Sequence, residues 1–184
     1  MRKVLFLFGQ LNDDDVEWML TAGNRRFVPV GGVLIEQGVL VDAVFILLEG
    51  RLAVWLKPRR GPERELARLN AGEIVGEMSF VDARPPSATV RALEDSTVFA
   101  ISKVVLSAKL QTDQGFAARF YRALAIYLST TVRERHRALG GAGMGEVMEE
   151  GDEDEGDELD PNVLDGVSLA GERFDRMVKR VLVS

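Results

Sequence analysis

Hydrophobic and polar residues alternate in three rhythms along this chain. Over residues 11–22, Val16, Met19 and Leu20 recur at helical spacing behind Asn12 and three acids, Asp13, Asp14 and Asp15. Asn12 or Asp13 is a natural cap, and acids in a first turn are favoured by the helix dipole, so this stretch predicts an N-terminal helix. From about residue 27 to 101 the rhythm shortens. Apolar runs at 33–35, 44–48, 52–56, 66–69, 89–92 and 97–101 are separated by glycines and polar residues. Each has strand length, and Glu49-Gly50 sits between two of them as a hairpin turn does. The segment 57–64, KPRRGPER, is polar and holds two prolines, so it reads as a surface loop. Many short strands at this spacing predict a barrel or jelly roll. After Gly115 the period lengthens again. Phe116, Phe120, Leu124, Tyr127 and Thr131 fall three and four apart, which predicts one long helix reaching about Leu139.

Past that helix the chain changes in character. GGAGMG at 140–145 stops it, and EVMEEGDEDEGDELD at 146–160 holds ten acids and no base. Self-repulsion in such a strip predicts a flexible linker over 140–160. Beyond Pro161 a second amphipathic segment begins. Ala170, Phe174, Met177, Val178 and Val181 share one face, with Glu172, Arg173, Arg176, Lys179 and Arg180 around it. The expected organisation is a body over 1–139, the linker, and a tail helix over 161–184. A helix of that length is marginal alone and needs a surface for its apolar face. The tail is expected to be a separable docking element for a protein partner, and truncation after Gly145 is expected to leave the melting temperature of the body nearly unchanged.

Composition narrows the chemistry. The chain has 184 residues, no cysteine and one histidine, His136. Thiolate nucleophiles, disulfides and Cys-ligated metals are excluded, and a single His does not furnish a His-based metal site. The apolar stretch after Arg2 and Lys3 stops at Phe8, too short for a secretory leader, and no run approaches membrane-spanning length, so a cytoplasmic protein without membrane insertion is expected. The net charge of -6 hides an asymmetry: without the ten acids of the strip, 19 acids face 23 bases, a body of about +4. That balance attracts a phosphate ligand but is too weak to argue for nucleic acid.

Residues 72–90, GEIVGEMSFVDARPPSATV, carry the most information. A Gly-Glu pair precedes a short apolar run, then Pro-Pro, then small residues leading into a strand. This segment resembles the phosphate-binding cassette of the cyclic-nucleotide-binding domain family. Gly32, Gly38 and Gly50, set among the runs at 33–35 and 45–47, resemble the family's first β-turns, and the helix from Gly115 resembles its long C-terminal helix. The resemblance covers roughly residues 5–138. It implies a mainly β fold with flanking helices: a β-roll, jelly-roll-like cyclic-nucleotide-binding domain closed by a long C-terminal helix.

The resemblance also implies a site. Glu77 would accept from the ribose 2′-hydroxyl, Gly76 and Met78 would lie along the sugar, and Ser87 and Ala88 would approach the phosphate through backbone N–H. Thr130 or Thr131, by position on the long helix, would sit near the base. The family's phosphate-binding Arg falls on Pro86, which has neither charge nor N–H, and Arg84, two residues earlier, is the nearest cation long enough to replace it. Glu77 at a helix start is equally accounted for by the dipole, and Arg84 by a solvated turn. The implied ligand is cAMP or cGMP and the implied function is non-catalytic: a regulatory sensor that signals to a protein partner and dimerises through the long helix. The alternative is a degenerate, non-binding domain acting as a dimeric docking scaffold. The family's transcription factors carry a helix-turn-helix after the long helix; here that space holds an acidic strip and one helix, so no DNA binding is expected. The RPPSATV form of the cassette, GFAARFYRALAIYL and the DELDPNVLDGVSLAGERFDRM tail further resemble small bacterial members encoded beside bacteriocin-type peptide export systems.

Overall fold

The computed structural model describes residues 4–140 and 161–183; the linker expected at 140–160 lies, beyond Gly140, outside the described residues. Two short helices open the described chain, α1 (Val4–Gln10) and α2 (Asp13–Ala22). The start of α2 agrees with the sequence expectation. Asn12 is its N-cap, and a capping box forms, with the Asp15 N–H donating to Asn12 Oδ1 at 2.8 Å and the Asn12 N–H to Asp15 Oδ2 at 2.9 Å.

Eight strands come next: β1 (Asn24–Val28), β2 (Val33–Ile35), β3 (Ala43–Glu49), β4 (Arg51–Leu56), β5 (Arg64–Asn70), β6 (Ile74–Val75), β7 (Thr89–Ala92) and β8 (Ser96–Ser102). They pair antiparallel in two four-stranded sheets of order β1-β8-β3-β6 and β2-β7-β4-β5. The six apolar runs are all strands. The two strands without an apolar run are β1, whose Arg25-Arg26 interrupts any apolar pattern, and β6, which pairs with β3 at only two positions. Between the sheets lies one apolar cluster, with Phe45, Leu47, Leu52 and Val98 fully buried in it.

The helices cover the other face of the first sheet. Between β6 and β7 runs the short α3 (Glu77–Val81), and after β8 come α4 (Lys103–Thr112) and the 27-residue α5 (Gln114–Gly140). Asp113 starts α5: its Oδ1 accepts the Phe116 N–H at 2.9 Å while its Oδ2 holds Lys109 Nζ at 2.8 Å. A second pair ties α5 to α2. Arg119 forks onto the buried Asp15 at 2.6 and 2.8 Å, so the carboxylate that completes the capping box also anchors the long helix.

The final helix, α6 (Pro161–Val183), packs back onto α1 and α2. Its face of Ala170, Phe174 and Met177 is buried in the same cluster as Leu7, Phe8, Leu11, Val16 and Phe116. The surface that the tail's apolar face needs is therefore present within the chain, and much of it is supplied by α1, a helix the sequence did not announce. Arg173, expected on the polar side, is buried: Nη1 donates to the carbonyls of Phe8 and Leu11 at 2.9 and 2.6 Å, and Nε to Asp13 at 2.8 Å. These are the carbonyls at the end of α1 and the carboxylate at the start of α2. The helix ends are where backbone groups lack intrahelical partners, which is why a guanidinium is tolerated there.

Candidate functional site

The glycine that opens the cassette is fixed by sterics. Gly76 has φ 87°, in the left-handed region, and a Cβ built on it would lie 2.9 Å from the Ala43 carbonyl oxygen. It caps α3 without a side-chain bond, so Glu77 begins the helix directly after a sharp turn out of β6. The helix ends at Asp82, and Ala83 then takes φ 55°, the one positive φ among the described residues other than glycine. The Arg84 N–H donates to Asp82 Oδ1 at 3.0 Å. Pro86 offers its carbonyl to the Gly38 N–H at 2.9 Å, and the Gln37 N–H donates to Thr89 Oγ1 at 3.1 Å, so the loop after α3 is closed against the β2–β3 turn.

The long helix meets this cassette at two points. Phe80 of α3 packs edge-on against Phe120 of α5, ring centroids 6.1 Å apart. Tyr127 of α5 donates its hydroxyl to the Ile74 carbonyl of β6 at 3.0 Å in a buried setting. Burial pushes the Tyr127 hydroxyl well above the ordinary tyrosine range, and the nearby charges of Glu77 and Glu73 push the same way. The sequence placed Tyr127 only in an apolar stripe; its polar tip was the missed signal, since a buried tyrosine hydroxyl finds a partner.

The expected site residues divide into two groups. Gly76 and Glu77 stand at the junction of β6, α3 and α5. Glu77 lines an apolar cavity with Ile74, Phe80, Phe120 and Leu124, where it is the sole ionisable residue among those described. Thr131 lies one turn beyond Tyr127 and donates to the Tyr127 carbonyl at 3.0 Å, and Thr130 donates to the Ile126 carbonyl at 2.9 Å. Both hydroxyls thus spend their protons inside the helix and keep lone pairs to accept with. Ala88 is half-buried just before β7. Met78, Arg84 and Ser87 are exposed. Arg84 makes no side-chain ion pair or hydrogen bond among the described residues, so the cassette displays a cation without directing it inward. Arg26 was not anticipated: its guanidinium carbon lies 5.2 Å from the centroid of the buried Phe45 ring, although the residue as a whole is exposed.

Known proteins match this region. The model of the cyclic nucleotide-binding domain fits residues 25–113. The cyclic AMP receptor protein of Thermus thermophilus is 35% identical over 95 residues, covering 52% of this chain and 44% of that protein. The cAMP-dependent protein kinase regulatory subunit of Blastocladiella emersonii is 26% identical over 136 residues, covering 72% of this chain and 34% of that protein. The chain therefore spans less than half the length of these two relatives. Among solved structures, a cyclic nucleotide-binding domain from Methylobacillus flagellatus superposes with a TM-score of 0.69 at 20% identity, covering 79% of this chain and 85% of that one, a likeness of fold.

Proposed function

We propose that this chain, a β-roll of the cyclic-nucleotide-binding type with flanking helices, is a non-catalytic regulatory module that senses cAMP or cGMP. One observation carries the reading. A left-handed Gly76 delivers Glu77 to the place where β6, α3 and the long helix α5 meet, and Tyr127 bonds that strand to that helix. A ribose hydroxyl held by Glu77 presses on the same junction. Binding then favours one placement of α5 over another, through the Phe80–Phe120 and Tyr127–Ile74 contacts. Because α1 packs on both α5 and α6, a shift of α5 reaches the tail helix. The relatives' names point to cAMP, and that ligand is carried to this chain as part of the proposal.

The output is proposed to be a protein partner. Since the apolar face of α6 is occupied by α1 and α2, the surface offered to a partner is its outer face, with Glu172, Arg176 and Lys179 exposed. A component of a peptide export system is the partner suggested by the sequence resemblance. Dimerisation is proposed through α5, where Tyr121 and Val132 are each 50% exposed on a helix whose opposite side is buried. No helix among the described residues is long and apolar enough to cross a membrane; a cytoplasmic setting is part of the proposal.

Calorimetric titration with cAMP, cGMP and a cyclic dinucleotide tests the reading. A charge-assisted bond to phosphate is worth about 1.5–3 kcal/mol, so the Pro at position 86, with no other cation at the phosphate, predicts affinity about 10- to 150-fold below that of an Arg-bearing cassette. Pro86→Arg should recover that factor where no other residue supplies the charge, and Glu77→Ala should lose binding. If no ligand gives heat with the wild type or with Pro86→Arg, the scaffold reading replaces the sensor. The observation favouring that second reading is the closed loop at Pro86 together with the outward Arg84.

A further inference from the structure

The cassette lacks its cation at Pro86, and Arg84 is exposed with no partner holding it toward the strands. An anion entering an apolar roll without a counter-charge loses its hydration uncompensated. The rim of the roll nevertheless presents a guanidinium on its inner side. Along β1 the faces alternate: Phe27 is outward and 57% exposed, while Val28 is buried in the cluster between the sheets. Arg26 shares the Val28 side, and its partner across the ladder, Val98, belongs to that same inner cluster. The guanidinium lies over the face of Phe45 at 5.2 Å. The same ring reaches the cassette, since a Cβ at Gly76 would come within 3.8 Å of Phe45 Cδ2 and 3.6 Å of Ile35 Cδ1. One aromatic ring thus has the opening of α3 at its edge and a cation on its face.

Arg26 also differs from its neighbours in being unpaired. Arg25 donates to the Leu182 carbonyl, Arg51 is held by Glu94 and Arg91 by Glu63. Among the described residues the Arg26 side chain makes no ion pair and no hydrogen bond, so the five N–H donors of its guanidinium are unspent. The simpler account is that its stem covers the rim of the roll while its head stays in water. That account leaves unused a fork suited to two phosphate oxygens, already oriented by an aromatic face.

We infer that Arg26 replaces the missing cassette arginine as the phosphate-binding cation, for a ligand whose sugar sits at Gly76 and Glu77 and whose anionic group reaches across Phe45. This rests on the nucleotide reading and assigns the charge within the same site. Its test uses the full chain, cAMP as the charged probe and adenosine as the probe without phosphate. Arg26→Gln should weaken cAMP by about 10- to 150-fold and leave adenosine unchanged. Arg26→Met keeps the stem over Phe45 and should give the same loss, which separates charge from packing. Arg84→Gln should change neither ligand, and raising salt should weaken cAMP for the wild type more than for Arg26→Gln. Equal cAMP affinity in wild type and Arg26→Gln overturns the inference, as does a loss confined to Arg84→Gln. If the wild type fails to bind cAMP but Pro86→Arg binds it, Arg26 does not compensate and the inference falls while the nucleotide reading stands. If neither binds, both fall.

Discussion

Arg173→Ala should loosen the whole helical layer. Arg173 is buried, and its three hydrogen bonds reach Phe8, Leu11 and Asp13 at 2.9, 2.6 and 2.8 Å. The Asp13 side chain is 61% exposed, so it recovers solvation when its partner leaves and that ion pair adds little. The two carbonyls are different: each is left without its donor under a packed helix, at about 1–3 kcal/mol apiece. Together they make a loss of about 2–6 kcal/mol. For a chain of this size that lowers Tm by roughly 4–24 °C, at about 2–4 °C per kcal/mol. Thermal melts followed by circular dichroism, with urea midpoints beside them, read the effect. Protein concentration must be held equal, since self-association would move Tm by mass action. Arg176→Ala, on the exposed face of the same helix, should stay within about 0.5 kcal/mol of wild type. If Arg173→Ala and Arg176→Ala melt alike, Arg173 does not hold α6 on α1. Losing α6 altogether uncovers Leu7, Phe8 and Leu11, so truncation after Gly145 should lower Tm, against the sequence expectation that it would hold.

Tyr127→Phe should flatten the alkaline loss of stability. Its folded-state pKa lies above the ordinary 10.0, so the contribution is complete below pH 10 and is lost as pH rises beyond it; urea unfolding at pH 8 and pH 11 should show a larger drop for wild type. Lys103, whose ammonium is pushed down by burial, is common to both proteins and cancels in the comparison. At pH 8 the Phe variant should be less stable by about 1–3 kcal/mol, because the Ile74 carbonyl loses its donor. Gly76→Ala should destabilise by at least about 1–3 kcal/mol, since its backbone is left-handed and its Cβ meets the Ala43 oxygen; a melt matching wild type would contradict that geometry. Asn12→Ala should lose about 0.5–2 kcal/mol from the capping box, measured by urea midpoint. Sedimentation at micromolar concentration should show a dimer that Tyr121→Glu and Val132→Glu convert to monomer.

The strand layer and the long helix were legible in the sequence because each is a repeated signal. Six apolar runs at short intervals and a stripe from Phe116 to Thr131 survive errors at any one residue. Asn12 was readable because a cap is a local bond. What escaped depends on distant parts of the chain. α1 is seven residues, too short to establish a period, and its helix is sustained by contact with α5 and α6. β6 exists only because β3 offers it two partners. Arg173 looked like part of a polar face because nothing local reveals that two helix-end carbonyls will meet it. Asp15 looked like one of three interchangeable acids, yet it alone is buried beneath Arg119. At the candidate site, Gly76 and Glu77 were legible as a motif. The Tyr127 bond and the Arg26–Phe45 stack were not, because each joins residues from elements far apart in sequence.

The contact between α1 and α6 sets an order of events during synthesis. Arg173 and Phe8 are 165 positions apart, so α1 leaves the ribosome long before the helix that covers it. Through that interval Leu7, Phe8 and Leu11 have no cover from α6, while the strand layer made in between can already pair. Closing so distant a contact is slow, because the loop entropy must be overcome before the contact rewards it. The nascent chain therefore spends its longest vulnerable period with an assembled roll and an open helical face, and that face is where a chaperone would be needed.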